Sequence, residues 1–206
     1  MTPIARRRLM LFAPAGALGV GLAGVAAYVA LRPEPTIRIG GPFQLLDGDG
    51  HTVTDRDFRG RVMLVYFGYT HCPDACPTAL ADMANAVDAL GTARDQVALL
   101  FITIDPERDT PSVVRDYVAA FDAPITGLSG SVDAIRNAAR EYRVYYAKHL
   151  TEAGYDMDHS SIIYAMDRSG RFAANFTHET PPAQITVTLR DLLGLPSPSP
   201  SGRGPG

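Results

Sequence analysis

The sequence predicts an α/β fold, a sheet covered by helices on both faces, and three observations carry that prediction. Val62-Met-Leu-Val-Tyr-Phe-Gly-Tyr69 is a nearly continuous apolar run of strand length, as a strand buried on both faces requires. Val97 to Ile104 is a second run of that kind, and between the two Leu80, Met83, Ala84, Val87 and Leu90 recur at helical spacing up to a break at Gly91. Ser161 to Met166 and Arg171 to Phe176 are joined by Asp167-Arg-Ser-Gly170, a hairpin signal, and a helix from about Pro182 follows.

In chain order, the first element is Leu9 to Leu31, an uncharged apolar run behind Arg6-Arg7-Arg8. About 20 apolar residues suffice to cross a bilayer. With the basic cluster before it, the N-terminus is expected in the cytoplasm and everything after Arg32 outside, in an oxidising compartment. A cleaved signal peptide, ending near Val25-Ala26-Ala27, is the competing possibility, but a signal's apolar core is usually only about 7–15 residues. The arginines also suggest a loose twin-arginine signal. Residues 1–31 thus form a basic N-terminus and anchor, 32–40 a Pro- and Gly-containing linker, 41–193 the domain, and 194–206 a Pro/Ser/Gly tail with little to bury.

The domain opens with Phe43-Gln-Leu-Leu46, a turn at Asp47-Gly-Asp-Gly50, and Thr52-Val-Thr54, an expected hairpin. After the second apolar strand, Asp109-Thr-Pro111 starts a helix, with Thr110 as its cap and Pro111 in its first turn, whose inward stripe is Val114, Tyr117, Val118 and Phe121. Ser131 caps a further helix carrying Val132, Ile135, Ala139 and Tyr142, and Val144-Tyr-Tyr146 is a short strand. Alternation along the first apolar strand puts at least two of Tyr66, Phe67 and Tyr69 in the core. A formal net charge of −3, with no basic run beyond the N-terminus, leaves no footprint for nucleic acid.

The chain's two cysteines are Cys72 and Cys76, in HCPDACP between the first apolar strand and its helix. A helix N-terminus favours thiolate, so both are expected to be reactive, and the i, i+4 spacing sets both sulfurs on one side of the first turn. That placement permits a disulfide or a metal clamp. A bridge over four residues closes a tiny loop and stabilises little, which makes a purely structural disulfide the weaker explanation.

A metal needs a third donor. Tyr155-Asp-Met-Asp-His-Ser-Ser161 runs into a strand, so His159 lies at a strand end, where the loops of an α/β sheet converge on binding sites. His71 adjoins Cys72 but points the other way on an extended stretch, and His51, His149 and His178 lie in polar loop-like surroundings. Cys72, Cys76 and His159 make a soft, low-coordinate set, the one that favours Cu(I). Zinc would need a fourth ligand, for which Asp74 or Asp158 would have to serve.

GRVMLVYFGYTHCPDACP at 60–77, ITIDPERDTP at 102–111, YRVYYAK at 142–148 and DMDHSSIIYAMDRSGRF at 156–172 resemble the Sco/SenC family of copper chaperones, over about residues 41–194. The resemblance implies a thioredoxin-like fold with an extra N-terminal hairpin, preceded by one transmembrane helix. It implies copper, as Cu(I) with Cu(II) left open, held by Cys72, Cys76 and His159, and delivery of copper, or of reducing equivalents, to the binuclear copper centre of cytochrome c oxidase subunit II. A copper donor and a thiol reductant are then further partners. Asp105 matches a family position near the copper site, although an acid before proline at a strand end is ordinarily a turn residue. Asp74 is ordinarily a helix-start residue favoured by the dipole.

The rival class is an enzyme, a thiol–disulfide oxidoreductase that uses Cys72 and Cys76 as a redox-active disulfide. Three residues rather than two separate the cysteines, and His159-Ser-Ser-Ile162 has no proline where thioredoxin-like enzymes are expected to place one. A peroxidase would need a base or arginine beside one thiol, for which Arg108 is available.

Overall fold

The computed structural model describes residues 38–196 apart from 153 and 178. The expected membrane segment, most of the linker and the tail beyond 196 lie outside the described residues, as does His178. Among the described residues no helix is long and apolar enough to cross a membrane.

A short hairpin, β1 (Gln44–Leu46) and β2 (Thr52–Thr54), precedes the main sheet. Then come β3 (Val62–Gly68), α1 (Ala75–Asp88), β4 (Val97–Thr103), α2 (Pro111–Val118), β5 (Ile125–Leu128) and α3 (Val132–Glu141). The chain continues through β6 (Tyr146–Thr151), β7 (Gly154–His159), β8 (Ile162–Met166) and β9 (Phe172–Thr177) to α4 (Pro182–Leu193). The five-stranded sheet has the order β5-β4-β3-β8-β9; β3 is parallel to β4 and β4 to β5, while β3–β8 and β8–β9 are antiparallel. It is the thioredoxin-like arrangement that the resemblance implies, with β1–β2 as the added hairpin.

Every residue of β3 and β4 is buried, as expected for central strands covered on both faces. Neighbouring residues on a strand point to opposite faces. Phe67 packs on Tyr142, just beyond α3, whereas Gly68 faces Cys76 in α1, so those two helices cover opposite faces. The Ser131 hydroxyl accepts from the Ala134 N–H at 3.2 Å, the expected cap of α3. Thr110 stands at the start of α2 without a side-chain cap bond, its hydroxyl lying against Ser112 instead.

Several sequence expectations need correction. Ala86, not Ala84, completes the buried stripe of α1, and Val132 is exposed at the start of α3. β5 was not expected, because Pro124 and Gly127 disguise a strand that exists by pairing with β4. The strand expected at Val144 to Tyr146 instead starts at Tyr146 and pairs with β7 as a separate two-stranded hairpin. That hairpin shows little burial along either strand, so its sequence carries no apolar alternation to read.

Candidate metal centre

The site lies where β3 ends. Gly68 is followed by a loop through Tyr69, Thr70 and His71 to Cys72, and α1 begins at Ala75 with Cys76 in its first turn. The Cys76 N–H donates to the Cys72 Sγ at 3.4 Å, so the helix start turns an amide toward the first sulfur. Cys76 is buried, Cys72 is half-buried, and both are free thiols.

The buried Asp109 fixes the loop. Its carboxylate accepts from the Thr70 N–H at 2.9 Å, the Thr70 hydroxyl at 2.6 Å and the Thr103 hydroxyl at 2.7 Å, tying the cysteine loop to the end of β4. Sequence reasoning took Asp109 for the entry to a helix; nothing local announces a partner 39 residues away.

Gly68 has a different purpose. A Cβ built there would lie 2.6 Å from the Cys76 Sγ, so the absent side chain is the space the sulfur occupies. A glycine inside a strand is the signal that marks such a close approach.

His159, the last residue of β7, closes the site. Its Nδ1 lies 3.2 Å from the Ser160 carbonyl oxygen, which can only accept, so Nδ1 carries the proton. Nε2 then presents its lone pair toward the Cys76 Sγ, 3.6 Å away. Burial pushes the His159 pKa down, which keeps the ring neutral and able to ligate at neutral pH. Tyr66 and Tyr69 meet the imidazole edge-on, with centroids 6.0 and 5.8 Å away, and the Tyr66 hydroxyl points at the Cys76 Sγ from 3.9 Å. Tyr66, Phe67 and Tyr69 are all buried, and two of them wall the site.

One donor atom from each of Cys72, Cys76 and His159 lies within 4.8 Å of the others. The three residues that the sequence singled out are therefore brought together from a loop, a helix and a hairpin. Two sulfurs and one imidazole nitrogen suit a soft, low-coordinate ion such as Cu(I).

One electrostatic expectation fails. Burial pushes the Cys76 thiol up, and the neighbouring Cys72 pushes it the same way, so metal-free Cys76 is a protonated thiol at neutral pH. Desolvation outweighs the helix terminus.

Asp105 and Asp74 do not join the donors. The Asp105 carboxylate is buried and accepts from Arg108 Nε and from the Tyr155 hydroxyl at 2.9 Å, so it acts on the hairpin rather than on the sulfurs. Asp74 occupies the N-cap position of α1, exposed and without a side-chain cap bond. Arg108 clamps Tyr155 through its ring and its carbonyl and is not aimed at a thiol. His71 is exposed, 3.2 Å from the Thr70 hydroxyl; His51 and His149 are exposed beside Asp47 and Asp158.

The SCO1/SenC family profile matches residues 32–194. A SCO2-like protein of Rickettsia prowazekii is 38% identical over 165 residues, covering 79% of this chain and 77% of the relative. Among solved structures, copper-bound ScoI of Bradyrhizobium japonicum is 44% identical with a TM-score of 0.70, covering 75% of this chain and 99% of that one. Copper-bound ScoI of Arabidopsis thaliana is 39% identical with the same TM-score, covering 76% and 98%.

Proposed function

The chain belongs to the SCO1/SenC family, and from that premise we propose that it is a membrane-anchored copper metallochaperone. Copper is its cargo, bound by Cys72, Cys76 and His159 and passed to the binuclear copper centre of cytochrome c oxidase subunit II. The observation that carries the proposal is the convergence of two sulfurs and a neutral imidazole within 4.8 Å. Copper bound in the similar Bradyrhizobium and Arabidopsis proteins supports it, while the oxidase as recipient is what the resemblance to the Sco/SenC chaperones implies.

Loading displaces a proton from each of the two thiols as the two metal–sulfur bonds form; release returns the protons to those sulfurs. No electron is transferred. Cys72 and His159 stand half-buried at the rim and Cys76 at the floor, so an incoming ligand of the recipient displaces rim donors first. The apolar run Leu9 to Leu31 behind three arginines supports an anchor in a bacterial inner membrane, with the domain on the outer, periplasmic side.

A second activity, reduction of a disulfide in the recipient, is favoured by the free thiol pair, with half-buried Cys72 as the accessible attacking sulfur. Anaerobic Cu(I) titration of the reduced full-length chain against a competing chelator separates the two. One tight equivalent, lost in Cys72→Ser and Cys76→Ser and weakened in His159→Ala with the fold intact, is expected for the carrier. Absence of a tight site, together with rapid turnover of the thiols against a disulfide substrate, would make the oxidoreductase primary.

A further inference from the structure

His159 reaches the thiols on a support with little stability of its own. β6 and β7 pair with each other and with no strand of the five-stranded sheet, and Met157 is the one fully buried residue along the two strands. An isolated two-stranded hairpin is marginal in water. Whatever fixes this one over the site must come from contacts beyond its own pairing.

Beside Met157, which enters the core, and Tyr146 and Tyr155, which pack against it, those contacts are polar and specific. The Tyr69 hydroxyl donates to the Asp156 Oδ1 at 2.6 Å, an atom that also accepts the Met157 N–H at 2.8 Å. Arg108 lies 3.9 Å over the Tyr155 ring and donates Nη1 to the Tyr155 carbonyl at 3.1 Å, while Asp105 receives both Arg108 Nε and the Tyr155 hydroxyl. The placement of the first contact is telling. Tyr69 stands three residues before Cys72 and Asp156 three before His159, so one hydrogen bond spans the two halves of the ligand set.

We infer that Tyr69 and Asp156 are positioning residues for copper uptake: their hydrogen bond holds the His159-bearing hairpin closed over Cys72 and Cys76 before the metal arrives. A ligand already in place adds its bond without the cost of ordering a loop. The apparent affinity scales with the fraction of chains in the closed arrangement. For a hairpin this shallowly buried that fraction is sensitive to a single bond, and loss of one well-formed hydrogen bond lowers it roughly three- to tenfold. Tyr69→Phe removes the bond alone, since its ring still meets the His159 ring edge-on.

The inference rests on the copper assignment above, and the test separates the two. Cu(I) affinity is measured by chelator competition on the reduced full-length chain in detergent micelles, for Tyr69→Phe, Asp156→Ala and the double variant, each with His159 intact and with His159→Ala. Backbone hydrogen exchange across residues 146–159 is recorded on the metal-free proteins. Asp156 is exposed, so its variant leaves the core untouched.

Each single variant is expected to bind about three- to tenfold more weakly, the double no more weakly than either single, and neither to matter once His159 is gone. Hairpin amides exchange faster in both. Unchanged affinity, or an equal loss in the His159→Ala background, would overturn the inference. If the unmodified chain binds no copper tightly, the copper assignment fails instead. Exchange then decides alone: accelerated hairpin exchange upholds the clasp and unchanged exchange removes it.

Discussion

Replacing Gly68 by alanine tests whether the strand was emptied to seat a metal-ligating sulfur. The new Cβ would sit 2.6 Å from the Cys76 Sγ, 2.9 Å from a Phe101 ring carbon and 3.0 Å from a Tyr66 ring carbon. Ordinary nonpolar contact begins near 3.5 Å, so the sulfur would have to retreat by about 1 Å. Both rings are fully buried and have little room to give. Overpacking of this kind costs about 1–3 kcal/mol, or a fall in Tm of about 3–10 °C for a domain of this size. Metal–ligand distances tolerate only about 0.2 Å, so Cu(I) affinity should fall by tenfold or more. Thermal and urea unfolding of the reduced, metal-free chain would be followed by circular dichroism for Gly68→Ala, Cys76→Ala and the pair. With the sulfur removed, the cost of Gly68→Ala should shrink by about 1 kcal/mol, a coupling that only contact between the two positions produces. An equal cost in both backgrounds, or a Gly68→Ala protein that binds copper normally, would refute the reasoning.

The raised Cys76 thiol predicts two opposite pH dependences. Loading releases this proton together with the one on Cys72, so apparent Cu(I) affinity should rise by about tenfold or more per unit between pH 6 and 8, measured against a chelator of known protonation. Metal-free stability runs the other way: the folded state keeps this proton to higher pH than the unfolded chain. The contribution is therefore complete below about pH 9 and is lost as pH climbs above it. Cys76→Ser should remove the loss between about pH 9 and 10, below the range where the buried tyrosines, also shifted upward, add their own, and its persistence there in urea unfolding would count against the assignment. Asp109→Ala leaves three donors of Thr70 and Thr103 without an acceptor and should cost about 3 kcal/mol in chemical denaturation, whereas an exposed control, Asp74→Ala, should change stability by less than about 0.5 kcal/mol.

The legible parts of the fold were those whose residues answer to burial. β3 and β4 read as strands because both faces are covered, and α1 read as a helix because its apolar residues return every turn. β5 and the β6–β7 hairpin did not read, since pairing partners rather than their own side chains define them. The donors were legible for a chemical reason: two thiols four residues apart at a strand–helix junction, and an imidazole beside another strand, are few enough to be matched by elimination.

The residues that make those donors effective were hidden. Tyr69 looked like core and Asp109 like a helix entry, yet their bonds run to Asp156 and Thr70, across 87 and 39 residues. The thiol illustrates the same division. By itself the sequence determined the ligand types and their spacing, and it pointed to thiolate because a helix N-terminus attracts negative charge. Tertiary structure buried Cys76 beneath Tyr66 and beside Gly68, and removal of water raised the cost of charge beyond what the helix terminus returns. Spacing and residue type are local and are written in the chain; solvent exclusion and long-range acceptors exist only once distant segments have packed.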